Sequence, residues 1–182
     1  MQFAEIARAL GGDVVDAALQ RRTVAWMVAR RDGAGGYQRN PRALDTFGRA
    51  AKATTDAYIV WSLSEADLIF AEMESAASGA AYAPSEALRS DVEALRREAE
   101  EGESATPRSA EGRSDAYVEA LAACALFNVE ANAAGERLVA ALLAKQDAAG
   151  RVPYTRGTIT ASGETSRDVE TTALALLAFV KA

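Results

Sequence analysis

Apolar positions along this chain recur at helical spacing and are interrupted by polar, glycine-containing breaks. Met1 to Leu10 reads as a short helix stopped by Gly11-Gly12. Asp13 is placed to cap the next helix, which runs to about Arg30 with Val15, Leu19, Trp26 and Met27 on its apolar face. After a long loop, Thr54 or Thr55 caps a helix whose segment Ala57 to Leu63 is almost wholly apolar, so it is expected to be buried on most sides. Gly79 to Pro84 is a break. Ser85 caps a helix from Glu86 to about Glu101, with Leu88, Val92, Leu95 and Ala99 on one stripe and an outward Glu93–Arg97 pair. Gly102 to Arg113 is polar and expected to be mobile. Ser114 caps an apolar helix to about Val129, and Glu136 to Lys145 is amphipathic. Ala148 to Arg167 reads as a second long loop before a last apolar helix.

One kind of helix start occurs three times: Thr55-Asp56-Ala57-Tyr58, Ser114-Asp115-Ala116-Tyr117 and Thr171-Thr172-Ala173-Leu174. The central alanines are 59 and 57 residues apart. Self-similarity at such a period signals stacked supersecondary units. Each unit reads as an amphipathic helix, a loop and an apolar helix. The predicted fold class is therefore all-α, with residues 1–182 as one domain. Its architecture is a partial α/α toroid of helical hairpins, inner helices apolar and outer ones amphipathic. A plain helical bundle accounts for the helices but not for the spacing.

Composition narrows the chemistry. The chain is 49% hydrophobic and 25% charged, ordinary for a globular domain of this length. A net charge of -6 argues against nucleic acid as a partner, since phosphate binding needs a basic surface. No apolar run approaches the roughly 18 residues of a membrane span, so no membrane insertion is expected. Histidine is absent and Cys124 is the sole cysteine. These facts exclude an internal disulfide, a Ser-His-Asp triad and a Cys-His pair within the chain. No metal, cofactor or catalytic residue is predicted. The N-terminal residues lack the basic start and apolar core of a signal peptide. Because the chain opens and closes inside helical patterns, a fragment is expected.

The loop Asp32 to Ala53 (DGAGGYQRNPRALDTFGRAAKA) exceeds the usual connection between packed helices. It admits two readings: a surface that meets a partner or reactive group, or a structured connection whose arginines and aspartates pair locally. Gly33-x-Gly35-Gly36 follows a helix rather than a strand, which favours a helix stop and tight turn over a phosphate cradle. Trp26, Tyr58 and Trp61 read as core, Cys124 as an inert buried thiol, and Asp168 and Glu170 as acids serving the N-terminus of the last helix.

Four stretches in order, WMVARRDGAGGYQRNPRALDTFGRA, TTDAYIVWSLSEA, LLAKQDAAGRV and VETTALALLAFVKA, resemble the thioester-containing domain of the alpha-2-macroglobulin and complement superfamily, in its bacterial style. The resemblance implies an α/α toroid. It also implies a parent that traps proteases by covalent tethering through an internal thioester, in a periplasmic or cell-surface setting. The family's Cys-x-Glu-Gln motif is missing, because Cys124 is followed by Ala125-Leu126-Phe127. The resemblance places that motif upstream of Met1. It places Asn40, Leu44 and Asp45 beside the parent's thioester, where complement proteins carry a histidine. A histidine-free loop implies a preference for amines over hydroxyls. The expected partners are the rest of the parent chain and, through it, proteases. Exposed inner helices imply that the isolated chain self-associates. Two alternatives stand beside this one: an α/α-toroid enzyme of the terpene cyclase or prenyltransferase type, and a pure interaction scaffold. The first lacks an Asp-x-Asp-Asp motif and has Val152 where its repeats carry an aromatic residue.

Overall fold

The computed structural model describes residues 17–32, 36–38, 52–78, 85–104, 115–154, 159 and 163–182. Six helices form there: α1 (Ala17–Val28), α2 (Lys52–Ser78), α3 (Glu86–Ser104), α4 (Ala116–Asn128), α5 (Asn132–Lys145) and α6 (Glu164–Lys181). Among the described residues the only strand-like pairing is a single antiparallel bridge between Arg31 and Tyr37. The all-α class is therefore observed.

The sequence of α4 sets the arrangement. Ala116, Ala120, Ala122, Ala123 and Ala125 leave little side chain between this helix and its neighbours, so other helices can approach from several sides. Twelve of its thirteen residues are buried. It packs against α2, α3, α5 and α6, while α3 also touches α2 and α5 also touches α6. The apolar segments thus lie side by side, with amphipathic α3 and α5 laid across the seams. Leu88, Val92 and Leu95 face inward from α3, and Leu138, Val139 and Leu142 from α5.

Helix ends follow from local chemistry. Asp115 caps α4 by accepting a hydrogen bond from the Tyr117 N–H at 3.1 Å, which assigns to Asp115 the cap that the sequence suggests for Ser114. Ser85 accepts from the Leu88 N–H at 3.2 Å, as expected of a cap. At the other end of α4 the Ala131 N–H reaches the Leu126 carbonyl at 2.9 Å and the Glu130 N–H reaches Phe127 at 3.1 Å. This closure needs a left-handed residue, and Glu130 takes that role at φ 59°. The chain can then turn straight into α5, where Gly135 leaves room for the Phe127 ring. A Cβ at Gly135 would lie 2.8 Å from it.

Several sequence expectations are corrected. Thr55 and Thr171 do not start helices: α2 begins at Lys52 and α6 at Glu164. The opening turns of α6 are polar, so its apolar periodicity becomes visible only from Val169. The second loop accordingly ends at Gly163, not Arg167. Residues 102–104 are helical. Leu19 and Trp26 are exposed, at 48% and 57%. The side of α1 packed on the core carries Val24, Met27 and Val28, and the Arg30 guanidinium lies 4.6 Å over the Trp26 ring. Glu93 pairs with Arg96, one residue earlier than Arg97. The expected helix over 1–10, the Asp13 cap and the polar stretch 105–113 lie outside the described residues.

Candidate functional site

The loop that leaves α1 is clamped at its described end. Asp32 bonds to Gly36 twice: its N–H donates to the Gly36 carbonyl at 2.9 Å, and its Oδ1 accepts from the Gly36 N–H at 3.0 Å. Tyr37 is thereby turned inward to 4% exposure. Its hydroxyl donates to Asp91 Oδ2 at 2.6 Å on α3, and Arg31 grips both Asp91 oxygens, at 3.2 Å from Nε and 2.5 Å from Nη2. Burial, reinforced by the Asp91 hydrogen bond, raises the Tyr37 pKa well above the ordinary phenol value. Here the loop behaves as a locally paired connection.

A second loop repeats this geometry. The Asp147 N–H donates to the Arg151 carbonyl at 2.8 Å, and Asp147 Oδ1 accepts from the Arg151 N–H at 2.9 Å. Gly150 sits in the left-handed region at φ +84°. The residue after each such turn is buried, Tyr37 in the first and Val152 in the second. Each then docks on the next apolar helix: the Tyr37 N–H on Asp56 Oδ1 at 3.2 Å, and the Val152 N–H on Thr172 Oγ1 at 3.1 Å. Asp56 and Thr172 hold the same place in the repeated tetrapeptides. The recurring motif is thus, in its first and third copies, a landing point for the preceding loop.

Asp168 and Glu170 are likewise not end caps. Asp168 accepts from Arg151 Nη1 at 2.9 Å and from the Tyr154 N–H at 3.1 Å. Glu170 accepts from the Tyr117 hydroxyl at 2.9 Å. That bond joins the early part of α6 to the start of α4. At the far end Lys181 donates to Asn128 Oδ1 at 2.7 Å, joining the end of α6 to the end of α4. The two helices therefore run parallel.

This far end carries the densest buried polar cluster among the described residues. Lys181 pairs with Glu65 at 3.1 Å; Trp61 Nε1 donates to Glu65 at 2.9 Å; Asn128 Nδ2 donates to Ser64 Oγ at 2.9 Å. Glu65, Cys124 and Lys181 each stand nine residues after the second member of a repeated tetrapeptide. The three helices thus bring equivalent positions to one level. Cys124 is fully buried, and burial pushes its thiol up to about 12, with Lys181 pulling it down and Glu65 pushing it up. At neutral pH it is a protonated thiol shut away from solvent. Chemically the cluster is a saturated interhelical lock.

The sequence reading missed Ser64, Glu65, Asn128 and Lys181. The available signal was the repeat itself, continued nine residues past each tetrapeptide. Trp61 is core, as expected, while Tyr58 is half-buried with its ring edge-on to Trp61. Asn40, Leu44 and Asp45 lie outside the described residues, as do Gly33 and Gly35. No three acidic or cysteine side chains converge as a metal-binding group among the described residues. An open groove of about 780 Å3 lies between α3 and the α4–α5 turn, lined by Arg89, Arg96, Arg137 and Glu130 around Val92 and Leu126. No helix of the described residues is long and apolar enough to cross a membrane.

The class that fold and site define is an all-helical protein with buried interhelical polar locks. No family model, curated protein or solved structure matches this chain.

Proposed function

We propose that this chain is a non-catalytic scaffold: an arc of an α/α toroid from an alpha-2-macroglobulin-like thioester domain. The observation that carries this reading is α4, buried on all sides between apolar α2 and α6 and roofed by amphipathic α3 and α5. Successive hairpins of a toroid require that layering. Parallel α4 and α6, and the two loops that dock on equivalent positions, support it further. The four family-like stretches supply the thioester assignment. On this reading the parent tethers proteases covalently, and the loop bearing Asn40, Leu44 and Asp45 sits beside its thioester. The chain itself contributes shape and no electrophile.

Among the described residues, the groove offers no support for the toroid-enzyme alternative. The groove over the α4–α5 turn has no aromatic side chain in its wall, whereas polyprenyl chemistry needs an aromatic-lined cavity. The test has three parts. The reading frame upstream of Met1 is expected to encode Cys-x-Glu-Gln, and a frame without it removes the thioester assignment. The parent protein should label methylamine in preference to glycerol, and the purified 182-residue chain should form no covalent adduct with a protease. Adduct formation by the purified chain would overturn the scaffold reading.

A further inference from the structure

The α1 helix is held to the body by one side only. Val24, Met27 and Val28 pack against the core, while Leu19, Arg22, Thr23, Trp26 and Arg30 are exposed. At about 3.6 residues per turn, Leu19, Arg22, Thr23 and Trp26 share one outward face. The Arg30 guanidinium joins it, stacked 4.6 Å over the Trp26 ring. The Thr23 hydroxyl donates to the Leu19 carbonyl at 2.9 Å, so it is satisfied within the helix. From Ala17 to Arg31 the sequence holds Arg21, Arg22, Arg30 and Arg31 and no acid, in a chain whose net charge is -6. Arg31 is turned to Asp91, and the other three are exposed. An ordinary solvated helix mixes Glu with Lys or Arg three or four residues apart. A helix that is basic and apolar on the same outward face suits a partner offering both negative charge and an apolar medium.

We propose that the outer face of α1 docks this protein on an anionic lipid bilayer, lying in the headgroup layer without crossing it. Charge complementarity selects a negative surface. Trp26 and Arg30 select a bilayer among negative surfaces. Stacked together, they set an aromatic ring and a cation at one depth, as the boundary between headgroup and acyl chain requires. Leu19 is a second apolar anchor, about 10 Å along the same face at 1.5 Å per residue. Arg22 stands between the two anchors, placed for a headgroup phosphate. Nucleic acid also offers phosphates, but it gives Leu19 no apolar medium. The excess of negative charge elsewhere in the chain disfavours other poses, so the bilayer meets α1 first. The contact is reversible, since each basic residue near such a surface contributes only about fivefold in partitioning. This inference stands on the α1 face alone and does not depend on the macroglobulin reading.

Vesicles of phosphatidylglycerol mixed with phosphatidylcholine test it on the intact chain, with phosphatidylcholine vesicles alone as the reference. The chain is expected to sediment with the mixed vesicles, and not with the reference, at about 0.01 M salt, where the Debye length is about 30 Å. Binding should vanish at about 1 M salt, where that length is about 3 Å. Arg22→Gln and Arg30→Gln should each lower the partition coefficient about fivefold, with unchanged helical circular dichroism. Arg137→Gln makes the same change of charge at an exposed position on α5 and should bind like the unmodified chain. Brominated acyl chains read contact directly. They should quench part of the fluorescence of the unmodified chain and none of that of Trp26→Phe, whose remaining Trp61 is buried. Absence of binding to the mixed vesicles at low salt overturns the proposal and leaves the face to an acidic protein. So does equal binding to the reference vesicles, an equal loss in Arg137→Gln and Arg22→Gln, or quenching that persists in Trp26→Phe.

Discussion

Gly150 is the residue on which the second loop turns. Its φ of +84° lies where an L side chain is strained, so Gly150→Ala should cost about 1–2 kcal/mol in chemical denaturation. The opposite sign is expected at Thr171. Its hydroxyl is buried with no hydrogen-bond partner. Thr171→Val keeps the shape and removes the orphaned group, so stability should rise by about 1 kcal/mol. A loss of similar size would mean that the hydroxyl is satisfied after all. Gly150 stands in the connection that joins α5 to α6 and Thr171 within α6, so their opposite signs separate backbone strain from polar burial.

At the scale of elements, the ion pair between Lys145 on α5 and Glu119 on α4 is the most exposed to mutation. Glu119 is 1% accessible, so Lys145→Met strands a buried carboxylate. Lys145 itself keeps 29% exposure and water reaches it, which points to a loss of about 3 kcal/mol, the lower end for breaking such a pair. The double change Glu119→Leu with Lys145→Met should recover most of it, and a double-mutant cycle by urea unfolding measures both. The pair was invisible in the sequence because i to i+26 contacts leave no periodic trace. What was legible was local: the Ser85 cap, the inward stripe of Leu88, Val92 and Leu95, and the apolar core of α4. The repeated tetrapeptides were also legible, but their meaning was not. A cap and a landing point both call for a short polar side chain before an apolar run. Only the loop's path, set by the Asp32 and Asp147 turns, distinguishes them. Trp26 was misplaced for a related reason: helical spacing fixes a face, and tertiary packing decides which face is covered.

For the molecule as a whole, pH acts from two sides. Asp147 and Glu93 are held below the usual carboxylate range, the first chiefly by the Arg151 N–H and then its guanidinium, the second by Arg96. Their contributions are complete above the unfolded carboxylate pKa and fade as pH falls through the depressed folded values. Asp147→Asn should therefore flatten the acid limb of a thermal-melting profile. The alkaline limb has the opposite origin. Burial raises Cys124 from 9.0 to about 12 and lifts Tyr37 and Tyr117 above the phenol range. These groups stabilise the fold fully below their unfolded pKa values, and the contribution is lost as pH rises past them. Cys124→Ala should shift alkaline unfolding to higher pH. At pH 8 the native thiol should resist an aromatic disulfide reagent until denaturant is added; rapid native labelling would contradict the burial.

The enclosure of α4 also determines how the molecule breathes. Its amides lie beneath helices on every side, so no partial opening of one neighbour exposes them to solvent. Leu121 to Leu126 should be the last backbone protons to exchange with deuterium, and their rate should track denaturant with the full slope of global unfolding. The alanine-rich centre of this chain is then its slowest clock, against which every other motion can be timed.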